Sequence, residues 1–352
     1  MTTRIRARGE DIRRFIVEHV ERHPADISNV TARHFQITRQ AVNKHLKRLV
    51  HAACLTEAGN TRSRVYKLAP LSAWKRAYEI VPGMEEDVVW TKDVRAALGQ
   101  LPDNVTNIWH HGFTEMFNNA LDHSGSRTIR VEVLKTAAST EMSVVDDGVG
   151  IFRKIQTDLG LLDERHAILE LSKGKLTTDP KRHTGEGIFF TSRMFDSFEI
   201  LSGETFFSHE SGKTEDWLLE SSRDHAGTAV FMRLHNHTSR TAKKVFDAYV
   251  SGEDFDFSKT VVPVNLARYG NDRLISRSQA KRVLARVDLF KTVVFDFRDV
   301  DGIGQAFADE IFRVFANEHP DISLHSVHAN SEVKRMIGRV RGPASGNVDH
   351  GE

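Results

Sequence analysis

Phe113-Thr-Glu-Met-Phe-Asn-Asn-Ala-Leu-Asp-His123 is the stretch from which the rest of the chain is best read. Glu115, Asn119 and Asp122 recur at i, i+4 and i+7, which at about 100° per residue places them on one stripe of a helix. Phe113, Met116, Phe117, Ala120 and Leu121 supply an opposite apolar face suited to burial against a sheet. Two carboxylates and a carboxamide on a rigid support suit one wall of a cleft. The bland alternative is an amphipathic helix whose polar side meets water, and only residues farther along the chain can displace it.

At 352 residues, 39% hydrophobic and 28% charged, the chain can supply two or three domains with their own cores. No run approaches about 18 consecutive apolar residues. The basic stretch Met1 to Gly9 is followed by no apolar segment of the signal-peptide kind. A cytoplasmic protein without membrane association is therefore expected. Cys54 is the single cysteine, which excludes an internal disulfide and a cysteine-based zinc cluster. The net charge of +1 hides an asymmetry, because residues 1–70 hold 14 Lys and Arg against 6 Asp and Glu. The remainder holds 35 against 42, so one end is built to meet a polyanion.

Ile12, Phe15, Ile16 and Val20 have helical spacing, which Pro24 ends. Val30 to Phe35 reads as a short helix, Gln36 to Thr38 as a turn, and Arg39 to Ala53 as a longer helix with Val42, Leu46 and Leu49 inward. Leu55 to Leu68 reads as a hairpin with a Gly-Asn tip and basic flanks. Together, residues 10–69 resemble a winged helix-turn-helix. That resemblance implies a DNA or other nucleic-acid partner. Arg39, Gln40, Asn43, Lys44 and Lys47 of the second helix of the pair would face the major groove, and Arg62 and Arg64 of the wing would face phosphates. A winged helix used only for protein docking is the alternative.

Residues 70–105 carry Pro70, Pro82 and Pro102 around two short helical patterns, Ser72 to Glu79 and Glu85 to Leu98, and read as a connector. Beyond the opening helix, Thr128 to Leu134 alternates at period two and Glu141 to Val145 is also strand-like, running into Asp146-Asp-Gly-Val-Gly-Ile151. Phe152 to His183 is too long for a simple turn and carries Lys173, Lys175, Lys181 and Arg182. Thr184-Gly-Glu-Gly-Ile-Phe-Phe190 then opens a helix, and Gly227-Thr-Ala-Val-Phe231 lies in a strand. Gly203 to Glu220 is polar and loop-like. His235 and His237 read as surface residues with no acidic partner.

Glu115-x-x-x-Asn119-x-x-Asp122, a strand ending in Asp146-x-Gly148-x-Gly150, Gly185-x-Gly187 opening a helix and Thr228 in a strand occur in that order across residues 105–235. The ordered set resembles the GHKL-type ATPase domain shared by gyrase B, the heat-shock chaperone, mismatch-repair ATPases and histidine kinases. The resemblance implies ATP and Mg²⁺ as ligands. Asp146 would accept from the adenine amino group, while Gly148 and Gly150 let the backbone approach base and ribose. Gly185, Glu186, Gly187 and Ile188 would bring a helix N-terminus to the phosphates. Asn119 would hold Mg²⁺, Glu115 would act as general base, Asp122 would be a supporting ligand, and Thr228 would lie near the adenine. Phe152 to His183 resembles the family's ATP lid. The run His183-Thr-Gly-Glu-Gly-Ile departs from the Gly-x-Gly-Leu-Gly of histidine kinases and is closer to the anti-sigma-factor serine kinases.

From about Val261 the pattern changes again. A helix over Leu274 to Val287, the apolar strand Thr292 to Phe297, the turn Val300-Asp-Gly-Ile-Gly304, a helix Gln305 to Glu318 and a strand Ile322 to Val327 suggest a small α/β unit. It resembles the STAS-like domains of anti-anti-sigma type. Where that family presents a serine in an Asp-Ser-Ser-Gly turn, this chain reads Asp301-Gly-Ile-Gly304 and lacks the hydroxyl. Ser276 and Ser278 are the remaining hydroxyls nearby.

The expected architecture is multidomain α+β: a winged-helix domain (1–70), a helical connector (71–104), an α/β sandwich ATPase domain of Bergerat type (105–240), a STAS-like domain (255–340) and a disordered tail (341–352). The expected function is a slowly ATP-hydrolysing regulator that couples nucleotide state to DNA binding. The alternatives are an anti-sigma-like serine/threonine kinase acting on a separate partner and a nucleic-acid-sensing ATPase of a defence system. A homodimer and a protein partner at the STAS-like domain are further expectations.

Overall fold

The computed structural model describes residues 2–60, 63–176, 185–211, 216–250, 257–268 and 273–341. Arg62, the basic lid residues Lys181 and Arg182, and the expected tail from residue 342 onward lie outside the described residues. The described chain is a mixture of helices and three separate sheets.

Three helices, α1 (Thr2–His19), α2 (Ile27–Phe35) and α3 (Arg39–His51), precede an antiparallel hairpin of β1 (Leu55–Ala58) and β2 (Val65–Leu68). Thr38 caps α3, its Oγ1 accepting from Ala41 N–H at 3.2 Å, which explains why the helix begins at Arg39. Ile16, Val20, Val42 and Leu46 are buried between the helices and form a core of their own. With those side chains inward, Arg39, Gln40, Asn43, Lys44 and Lys47 are all solvent-exposed on α3. Arg64 stands beside the hairpin, 3.3 Å from Glu57.

The segment Ser72 to Glu79 corrects a sequence expectation. It is a strand, β3 (Ser72–Glu79), and not a helix. Trp74 and Tyr78 at i and i+4 satisfy both periodicities. What decides between them is an antiparallel ladder running from Ser72↔Lys135 to Glu79↔Thr128, with Tyr78 packed edge-on against Phe117 at 5.8 Å. The second pattern of the connector is helical, as α4 (Glu86–Val89), a π-turn over Trp90–Val94 and α5 (Arg95–Leu98).

The central layer follows. Helix α6 (Asp103–His123) lies against a five-stranded antiparallel sheet of order β3-β4-β5-β7-β6, completed by β4 (Thr128–Lys135), β5 (Ser139–Asp146), β6 (Ser197–Glu210) and β7 (Asp216–His235). Trp109, Phe113 and Phe117 of α6 are fully buried. Ile129, Val131 and Val133 of β4 are buried beneath the helical layer, while Arg130, Glu132 and Leu134 are exposed, so one face of the sheet is covered and the other open. Two further expectations change here. Gly203 to Glu220, read as loop-like, falls largely within β6 and β7, whose pairing shifts register at Ser202/Gly203 and Gly203/Thr205. The polar side chains that suggested a loop belong to long paired strands, whose backbones are satisfied by each other. Phe152 to His183, read as a long loop resembling a lid, holds most of α7 (Ile151–Leu159) and all of α8 (Glu164–Lys173) in its described part, before α9 (Gly187–Met194).

After α10 (Ala242–Asp247), β8 (Lys259–Pro263), β9 (Thr292–Asp296) and β10 (Ser323–Val327) form a parallel sheet of order β10-β9-β8. Between β8 and β9 runs α11 (Arg277–Leu284), shorter than expected because a capping box of Ser276 and Gln279 starts it. Ser276 Oγ accepts from Gln279 N–H at 3.2 Å, so this hydroxyl is engaged in helix capping. Between β9 and β10 runs a helix of α12 (Gln305–Asp309), a π-turn Glu310–Phe315 and α13 (Ala316–Glu318); α14 (Ser331–Arg341) follows β10. The central and C-terminal units share one continuous core. Phe257 lies 4.7 Å from Phe189 and 5.2 Å from Phe290, ring centre to centre, bridging the two.

Candidate functional site

Between α6, the sheet and the helices α7 to α9 lies a cavity of about 300 Å³. Of the predicted residues it gathers Glu115, Asn119, Asp146, Gly150, Gly185, Gly187, Ile188 and Thr228 along its lining. These positions come from four different stretches of chain. Asp122 is not brought in. It is exposed, and at about 100° per residue it falls on the side of Glu115 away from Met116, Asn119, Ala120 and His123, which line the cavity. His123 and Ser124 line the end of the cavity instead. Gly148 and Glu186 stand just outside the lining.

Asp146 closes β5 with 7% of its surface exposed. Its Oδ1 accepts from the backbone N–H of Gly148 at 2.9 Å and of Thr228 at 3.3 Å, which holds the carboxylate in one orientation. Thr228, on the neighbouring β7, accepts through Oγ1 from Ile151 N–H at 3.0 Å. Thus the first turn of α7 is tied to the strand that orients Asp146. Gly150, the residue before α7, has φ +84, a conformation that a residue with a Cβ adopts only under strain. Thr228→Val would leave the half-buried Ile151 donor without this acceptor, and we expect it to lower the unfolding free energy by about 1 kcal/mol in urea titrations.

Gly187 opens α9 against α6. A Cβ on it would lie 1.9 Å from Glu115 Oε2, so the start of α9 stands close against the carboxylate and a larger residue would displace that side chain. The opening residues of both α7 and α9 therefore line one cavity. The unpaired N–H groups of a helix's first turn, with its dipole, favour an anion, whereas Glu115 favours a cation or a donor. An anionic ligand accompanied by a divalent cation satisfies both demands. Asn119, one turn on from Glu115, adds a neutral oxygen suited to Mg²⁺. Much of the remaining lining is apolar, with Met116, Val144, Ile155, Ile200 and Val230, which suits a flat aromatic base.

Lys154 also lines the cavity, paired with Asp158 at 2.9 Å, and sequence reasoning missed it. Its place in the first turn of α7 is the signal that could have found it. Lys173 and Lys175 are the opposite case. Both belong to the stretch that resembles a lid, yet Lys173 is 1% exposed and both face the C-terminal unit.

His235 corrects a further expectation, since it has an acidic partner. Its Nδ1 lies 2.6 Å from Asp196 Oδ2, and its backbone N–H donates to the same oxygen at 2.7 Å. This hydrogen bond raises the His235 pKa. Burial works to raise that of Asp196, but the bonds from His235 and the charge of Arg240 hold it below the usual carboxylate range. Among the described residues no three His, Cys, Asp or Glu side chains are grouped to hold a metal ion. Likewise, no described helix is long and apolar enough to cross a membrane.

In the C-terminal unit, parallel strands alternate with helices, and the turn after β9 is held by Asn330. Its Nδ2 donates to Val300 O at 3.1 Å and Asp301 O at 2.8 Å. A family model described as a STAS-like domain of unknown function (DUF4325) matches residues 279–334. Residues 279–334 are a STAS-like domain. No curated protein matches the chain. The STAS-like match begins inside α11 and ends inside α14, so β8, which completes the parallel sheet, precedes it. Its Asp301-Gly-Ile-Gly304 turn carries no hydroxyl.

Proposed function

We propose that this chain binds Mg-ATP in the central cavity as a GHKL-type domain, hydrolyses it slowly, and couples the nucleotide state to an N-terminal winged helix that binds DNA. One observation carries the reading: a buried, oriented carboxylate at Asp146, an apolar slot, two helix N-termini, and Asn119 beside Glu115 all meet in one cavity. Asp146 would take the adenine amino group, the first turns of α7 and α9 the phosphates, and Asn119 the Mg²⁺ ion, which neutralises phosphate charge when bound. Glu115 would orient and deprotonate the attacking water.

The experiment is phosphate release with and without Mg²⁺ and duplex DNA. Release that requires Mg²⁺ and changes with DNA supports the coupling; absence of both ATP binding and release refutes the reading. Radiolabel from γ-phosphate ATP appearing on an added protein, rather than as free phosphate, would mark the kinase alternative instead. The hydroxyl-free turn of the STAS-like domain argues against transfer to that position within the chain.

The exposed basic face of α3 supports the DNA half of the proposal. Arg64→Ala should reduce the slope of log affinity against log salt by about 1, as expected for a lost phosphate contact. Asn43→Ala should cost about 1–3 kcal/mol on a preferred duplex and nothing on a random one. Fluorescence anisotropy at several salt concentrations distinguishes these.

A further inference from the structure

Lys173 ends α8 as a buried ammonium whose three donors are all used. It donates to Glu170 Oε1 at 2.7 Å, to Ala285 O at 2.8 Å and to Arg282 O at 3.1 Å. The last two are carbonyls at the C-terminus of α11, the negative end of that helix, where a cation is favoured. Burial pushes the Lys173 pKa down and the charge of Glu170 opposes it. Arg286 Nε approaches the other oxygen of Glu170 at 3.6 Å.

The backbone around Lys173 is held by the same unit. Thr260 Oγ1, on β8, donates to Lys173 O at 2.6 Å, and Arg286 donates to Lys175 O. The Lys175 ammonium lies 5.2 Å from the centre of the Phe290 ring and donates to Leu289 O at 3.3 Å. Gly174 has φ +82, and a Cβ there would lie 2.6 Å from the Phe257 ring. Residues 170–175 are thus gripped along their length by the C-terminal unit. This segment supplies Leu171 to the cavity lining and leads directly into Leu176, which also lines it and whose N–H donates to Gly185 O at 2.9 Å, next to the start of α9.

We propose that Lys173 is a positioning residue through which the docked C-terminal unit, carrying the STAS-like domain, holds the outer wall of the nucleotide cavity, so that whatever loosens this docking weakens nucleotide binding. This rests on the nucleotide reading of the cavity. A buried ion pair is a suitable latch for such a role, because removing one partner leaves an uncompensated charge, whereas intact it contributes little net stability over an apolar contact. The coupling is reciprocal: nucleotide that closes the wall must tighten the docking of the C-terminal unit by the same factor.

The test uses the full chain with Lys173→Met and the milder Thr260→Val, which removes the hydroxyl donor but retains the branched shape. Two readouts are needed, Mg-ATP affinity by calorimetry and amide hydrogen exchange without nucleotide. A wall that is competent only about a tenth of the time weakens affinity about tenfold, which is the expectation for Lys173→Met, with roughly threefold for Thr260→Val. Exchange should rise across residues 164–176 and not across 128–146, a pattern that general destabilisation would not produce. Folded variants with unchanged exchange, or with raised exchange but unchanged affinity, overturn the proposal. If Lys173→Met does not fold, Thr260→Val decides by the same two readouts. If the wild type binds no Mg-ATP, the nucleotide reading is what has failed, and exchange across residues 164–176 alone shows whether Lys173 holds the wall.

Discussion

Glu115→Gln should lower phosphate release by about a hundredfold or more, the usual contribution of a positioned general base. It should leave Mg-ATP affinity unchanged or slightly improved. The substitution keeps the shape of the side chain, so α6 and its packing are undisturbed and the loss reports chemistry. Affinity has a reason to hold or rise. A Cβ on Gly187 would lie 1.9 Å from Glu115 Oε2, so the carboxylate stands close against the start of α9, where phosphates would bind. Removing its charge there removes a repulsion of anions. Single-turnover phosphate release with parallel equilibrium dialysis separates the two effects. Undiminished turnover would sink the role of Glu115 as base, and lost binding would make it a ligand instead.

Asp146→Asn should weaken Mg-ATP binding by about a hundredfold, a free-energy loss of about 2.7 kcal/mol, within the range for a mispaired buried donor. The amide oxygen can still accept from the N–H groups of Gly148 and Thr228, so the turn after β5 keeps its hydrogen bonds. What changes is the other arm of the side chain, which turns from acceptor to donor and would confront the adenine amino group with a second donor. The thermal midpoint should therefore move by only a few degrees while affinity collapses. Equal loss for ATP and for a nucleotide without the exocyclic amine would show that Asp146 does not read the base.

Much of the cavity was legible because its parts are local. Glu115 and Asn119 share a helix face by periodicity alone, and Gly150 and Gly185, at φ +84 and +73, mark turns that other residues adopt only under strain. Asp122 shares the stripe but lies outside the lining, which follows the Asn119 and His123 side of the helix, and His123 and Ser124 were overlooked. Ser72 to Glu79 could not be resolved locally either. Trp74 and Tyr78 fit a helix or a strand, and only pairing with β4, more than forty residues later in the chain, selects the strand. Lys173 was unreadable for the opposite reason, being a lysine whose burial depends on carbonyls contributed from beyond residue 280.

By itself, the sequence determined the basic first unit, the helix bearing Glu115 and Asn119, the glycine turns and the hydroxyl-free turn of the STAS-like domain, because each depends on residue type and short-range spacing. Tertiary structure alone decided that Asp146 is oriented by Thr228, 82 residues away, and that the cavity's outer wall is held by another unit's helix end. Hydrogen bonds and buried charges depend on what lies within about 3 Å in space, and sequence separation carries almost no information about that once the chain has turned back on itself.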